Sequence, residues 1–92
     1  MTFSAHKTIV LGSEHDEALR GALRDVLRRL GAKNLAHEWC VGGSQELERA
    51  EIRVGAERVI VEAETFVGLS IHGPAELADR IRRLVVDALN QR

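Results

Sequence analysis

Aromatic side chains are almost missing from this chain: Phe3, Trp39 and Phe66 are the only ones, and there is no tyrosine. A core must therefore be built from Leu, Val, Ile and Ala, and stacking surfaces are scarce. Cysteine occurs once, as Cys40. A lone thiol excludes an intramolecular disulfide and a four-cysteine zinc site, and it fits a reducing compartment. Lysine occurs only at Lys7 and Lys33, and the formal net charge is -1, so the chain lacks the broad basic field that neutralises phosphates. Long apolar runs are missing as well. Lys7 precedes only the short run Ile9-Val10-Leu11, far less than a signal-peptide core or a membrane-spanning helix requires. The expectation is a cytoplasmic protein with no membrane partner.

What is present is ordinary globular composition. Hydrophobic residues make up 45% and charged residues 29% of 92 residues, enough for one core and too little chain for a second domain. There is no linker, repeat or low-complexity stretch, so residues 1–92 read as a single domain.

Periodicity divides it. Residues 1–12 form an extended lead-in or short strand, with Thr8 to Leu11 β-branched or apolar up to Gly12. Over 13–31 the spacing of Ala18, Leu19, Ala22, Leu23, Val26, Leu27 and Leu30 is that of one helix stripe. Ser13 stands as its N-cap with Asp16 as the acidic partner of a capping box, and Gly31 follows as the C′ residue. Gly21, inside the helix, fits close packing against a sheet. Over 33–73 the period falls to two. Leu35, His37, Trp39 and Val41 alternate with Ala36, Glu38 and Cys40, then Ala50, Ile52 and Val54 oppose Arg49, Glu51 and Arg53. Val59, Val61 and Ala63 follow, and then Val67, Leu69 and Ile71. Turns fall at Gly42-Gly43-Ser44 and Gly55-Ala56, and connections this short demand antiparallel hairpins.

Residues 74–91 are a second helix, opened by Pro74 at its first position, with Leu77, Ala78, Ile81, Leu84, Val85, Ala88 and Leu89 as its stripe. Four-residue pairs Asp16–Arg20, Asp25–Arg29, Glu76–Arg80 and Asp79–Arg83 mark solvated helix faces. The predicted fold class is α+β: a two-layer sandwich, with a four-stranded antiparallel meander carrying both amphipathic helices on one face. A short extra N-terminal strand is the open option.

Metal chemistry needs clustered ligands. His37 and Cys40 lie three apart on a strand and face opposite ways, and His6, His15 and His72 belong to different elements, so neither a metal site nor a cofactor is expected. Cys40 as a nucleophile would need His72 beside it, which requires the first and last meander strands to meet. Gly42-Gly43-Ser44 joins two strands and has no lysine, so it reads as a hairpin turn and not as a phosphate cradle. Trp39 is a core plug or an interface anchor, and its neighbours Leu35 and Val41 favour the core.

The outward sheet face is the candidate interaction surface: Arg49, Glu51, Arg53, Ile60, Glu62, Glu64, Phe66, Ser70 and His72. Carboxylates near a histidine can do acid–base work, and they can equally be cross-strand ion pairs. The order helix, meander, helix resembles the double-stranded RNA-binding domain, α-β-β-β-α, over Ser13 to Asn90 in element order. That family grips phosphates with lysines at the start of its second helix, where this chain has Gly73-Pro74-Ala75-Glu76-Leu77. Between Asn34 and Gly73 seven acidic residues face three basic ones, a net acidic sheet that repels a phosphate backbone; Arg80, Arg82 and Arg83 are a small basic patch. The expectation is a non-enzymatic protein-interaction or regulatory domain, self-associating or bound to a protein partner, with an RNA-binding domain of that element order as the least favoured alternative. The alternative is a small enzyme or ligand site built on Glu62, Glu64 and His72.

Overall fold

Loop length decides the path of the chain. Strands β2 (Lys33–Gly42), β3 (Gln45–Val54), β4 (Glu57–Glu64) and β5 (Gly68–Pro74) are joined by connections too short for a crossover, so each pairs antiparallel with the next. Ahead of them lie β1 (His6–Gly12) and helix α1 (Glu17–Arg29), and helix α2 (Ala75–Asn90) follows. The computed structural model describes residues 5–42, 45–65 and 67–91, with the backbone alone for 35–42 and 45–47. Strand β1 joins the free side of β5, giving one antiparallel sheet in the order β1-β5-β4-β3-β2. The lead-in is thus a fifth strand, paired from His6–Pro74 to Gly12–Leu69. With β1 ahead of α1 and four strands between the helices, the element order departs from α-β-β-β-α.

Alternation sets the two faces. Val59 and Ala63 of β4 and Leu69 and Ile71 of β5 are buried in one cluster with the α1 stripe, notably Leu23 and Val26, and with Leu77, Ile81 and Val85 of α2. Both helices therefore bury their stripes on the same side of the sheet. Ile71, Ile81, Val26, Val59 and Val85 are fully buried, each contributing roughly 1.5–3 kcal/mol of transfer free energy.

The helix ends differ from expectation in instructive ways. Helix α1 starts at Glu17, and its N-cap is Asp16, whose carboxylate accepts the Leu19 N–H at 3.1 Å. Ser13 accepts the His15 N–H instead and closes a turn ahead of the helix. Ala18, now in the first turn, is exposed. At the other end the Ala32 N–H donates to the Leu27 carbonyl and the Gly31 N–H to that of Arg28, the paired bonds of a Schellman motif with Gly31 at φ +75°. Pro74 falls one residue earlier than expected. It ends β5 opposite His6, and Ala75 is the first helical residue, its N–H donating to the Ala5 carbonyl at 2.7 Å. Val67 is not an inward strand residue. It lies in the turn before β5 and is 52% exposed, because the strand begins only at Gly68, where φ is +106°.

A helix is about 10 Å wide and strands are spaced about 4.8 Å, so two helices roof about four strands. Helix α2 lies against β1 and β5, with α1 beside it. The roof runs out at the β3–β2 end, where Ala50, Ile52 and Val54 stay half-buried on the helix-facing side.

Two glycines carry testable strain. At Gly31 a Cβ has open space, so Gly31→Ala is expected to cost only the left-handed backbone penalty, about 1 kcal/mol in urea unfolding. At Gly68 a Cβ would overlap the Gly12 carbonyl oxygen, so Gly68→Ala is expected to cost roughly 2 kcal/mol or more. Equal losses from the two substitutions would show that the Gly12–Gly68 approach is not close.

Candidate functional site

Pairing register distributes the predicted surface residues over the face away from the helices. One row across the sheet runs Thr8, His72, Ile60, Glu51, and the next runs Val10, Ser70, Glu62, Arg49. Glu62 thus sits opposite Arg49 and Arg53 opposite Arg58, while the ion pair of Arg49 is with Glu51 on its own strand, at 4.0 Å. Glu64 pairs with Gly68 at the far end of β5, four residues from His72 and hence about 14 Å along the strand. Glu62, Glu64 and His72 are therefore spread along the face. Phe66 lies outside the described residues, as do Gly43 and Ser44 of the first hairpin turn.

Strand β1 supplies the neighbours that sequence reasoning missed. The Thr8 hydroxyl and His72 Nδ1 are 2.6 Å apart, and the His6 and His72 rings stack with centroids 5.9 Å apart. Only the pairing of β1 with β5 could have revealed them. Ser70 is buried although it faces outward, being small and flanked on both sides in the sheet interior. Among the described residues no three His, Cys, Asp or Glu side chains form a metal-binding group.

Strands β2 and β5 are separated by β4 and β3, which puts Cys40 about 14 Å from β5 and removes the Cys40–His72 pairing. In the β2–β3 ladder His37 registers with Ala50 and Trp39 with Glu48, and the register slips between Asn34 and Ala36. Leu35 falls on that irregularity. The side chains of Trp39, His37 and Cys40 lie outside the described set.

The helix-facing side holds the concavity. Where α1 ends its cover of the sheet, a groove of ≈ 380 Å³ opens, floored by Ala50, Ile52, Val61, Ala63 and Leu69 and walled by Leu23 and Leu27 of α1. Arg20, Arg24, Asn34 and Glu48 complete its lining. The pair Asp16–Arg20 does not form as expected, because Asp16 spends its carboxylate on the cap. Arg20 instead donates to the Glu14 carbonyl at 2.8 Å and to the Glu48 carboxylate. Extending the inward set Ala50, Ile52, Val54 back by one step would have placed Glu48 on this side.

A second charged tie joins the layers. Lys7 Nζ lies 2.7 Å from an Asp79 carboxylate oxygen, so the close partner of Asp79 is Lys7 on β1 and not Arg83. The hydrogen bond from Lys7 holds the Asp79 carboxyl below its ordinary pKa, with Arg82 and Arg83 adding weaker attraction. A carboxyl with a lowered folded-state pKa stabilises above its unfolded value, and that contribution fades as pH falls through the lowered one.

No helix among the described residues is long and apolar enough to cross a membrane. Compared with family models, curated proteins and solved structures, the chain matches none.

Both ties can be measured. A double-mutant cycle of Arg20→Met with Glu48→Gln is expected to give a coupling of about 1 kcal/mol, the upper range for a partly exposed pair; a coupling near zero would show that the pair only decorates the groove. In an NMR titration the Asp79 carboxyl should turn over below the usual aspartate range and move upward in Lys7→Ala. An unchanged midpoint in that variant would assign the shift to the arginines.

Proposed function

We propose that this domain is a protein-interaction module that meets its partner along edge strand β2, by strand addition. One observation carries the reading: β2 is a ten-residue edge strand whose sequence holds only Lys33 and Glu38 as formal charges. No described strand pairs with its free side. Long edges with few charges are pairing templates that most folds blunt. The opposite edge is blunted: β1 has seven residues, a bulge between Val10 and Gly12, and Lys7 tied to Asp79.

The simplest donor of a strand is a second copy of the chain, β2 against β2 about a two-fold axis, which gives a self-complementary interface. The outer face is the second candidate surface, because Val10 is 54% exposed there in the row of Ser70 and Glu62.

Light scattering across a concentration series, read beside amide exchange, tests this. The expected result is a dimer whose β2 amides slow together with its formation, while those of β4 do not change. A monomer with alternate β2 amides still exchanging fast would direct the search to a different partner protein. Complete protection of β2 in a monomer would mean that the edge is closed, and the reading would fall.

A further inference from the structure

The groove beside α1 has a charge pattern that the described residues leave largely unpaired. Arg20, Arg24 and Arg28 follow one another at four-residue steps on α1, where side chains are neighbours and like charges repel. All three overlook the concavity: Arg20 and Arg24 line the main groove, and Arg28 lines an adjoining depression of ≈ 240 Å³ that shares Arg24, Leu27, Asn34 and Ile52 with it. Glu48 neutralises Arg20. Among the described residues neither Arg24 nor Arg28 has an ion-pair partner. The rim is thus cationic above a floor of Ile52, Val61 and Leu69, all aliphatic.

We propose that this groove binds a small amphiphilic anion, an aliphatic chain ending in a carboxylate. The chain lies on the aliphatic floor, and the head group accepts hydrogen bonds from Arg24 and Arg28 at the rim, with the Asn34 amide as a further donor. The size fits a small molecule, since ligand pockets run from about 300 to 1,000 Å³. The cations fix the sign of the head group, because a guanidinium pairs with a carboxylate through two parallel N–H donors. The proposal is independent of strand addition at β2, which needs only backbone groups on the free side of that strand.

Dodecanoate and dodecyltrimethylammonium, each kept below its micelle-forming concentration, separate chain from charge. Calorimetry and methyl NMR on the full chain are expected to show dodecanoate binding about tenfold or more tightly than the cation, the scale of one charge-assisted hydrogen bond. The shifts should fall on Leu23, Leu27, Ile52 and Val61. Arg24→Glu with Arg28→Glu should lower dodecanoate affinity by about tenfold or more, and Arg24→Gln with Arg28→Gln serves if the charge-reversed protein does not fold. Ala50→Leu, which fills the floor from a half-buried position, should abolish binding while the amide spectrum stays folded. Equal affinity for the two amphiphiles, indifference to the arginine substitutions, or no binding would each overturn the proposal. So would sedimentation with phosphatidylglycerol vesicles in the absence of monomeric dodecanoate binding, since that result would assign the arginines to an anionic surface.

Discussion

Two helices are too narrow to roof five antiparallel strands, and the rest of this structure follows from that mismatch. Helix α2 takes the β1–β5 end, α1 packs beside it, and cover gives out over β3. Burial grades accordingly. Ile71 and Val59 reach zero exposure, while Ala50 and Ile52, on the same face a strand or two away, remain half-buried. The groove follows from that geometrical shortfall, while the β2 edge follows from strand order, β2 being the last strand of the sheet.

Charge is spent where the layers meet. Arg20 reaches from α1 to Glu48 on β3, and Lys7 reaches from β1 to Asp79 on α2. Each tie crosses from helix to sheet, one at the groove and one at the β1 edge, and each takes a residue that periodicity assigns to an intrahelical pair. Such pairs contribute modestly in solvent, so their weight here is positional: they fix how each helix lies on the sheet. Glu14 shows the opposite case. One of its carboxylate oxygens is buried with no hydrogen-bond partner among the described residues, a cost set against the favourable field at the start of α1.

Much of the fold was legible because its signals are local. The stripes from Leu19 to Leu27 and from Leu77 to Val85, the Gly31 stop, and the alternation of Ala50, Ile52 and Val54 depend only on period and turn chemistry. The errors were local as well. Ser13 and Asp16 both qualify as caps, and three residues of sequence cannot say which one the chain places at the turn. Val67 kept the period of β5 but fell before the glycine that starts it. The candidate site was less legible. Alternation identified the outward residues, yet whether Glu62, Glu64 and His72 converge depends on register between strands, and register spreads them. Glu48 and the arginine row went unnoticed because a helix and a strand distant in sequence had to be brought together before they had anything in common.

The sequence by itself determined the two helices with the apolar stripes they bury and the antiparallel connections of β2 to β5, since hydrogen-bond geometry and the two periods, 3.6 and 2, act over a few residues. Tertiary structure alone decided that β1 closes the β5 edge while no described strand covers β2, that Arg20 and Lys7 bind across layers, and that the groove brings the arginine row and an aliphatic floor together. Those outcomes depend on strand order and on the relative widths of helices and sheet, quantities that no short stretch of residues carries.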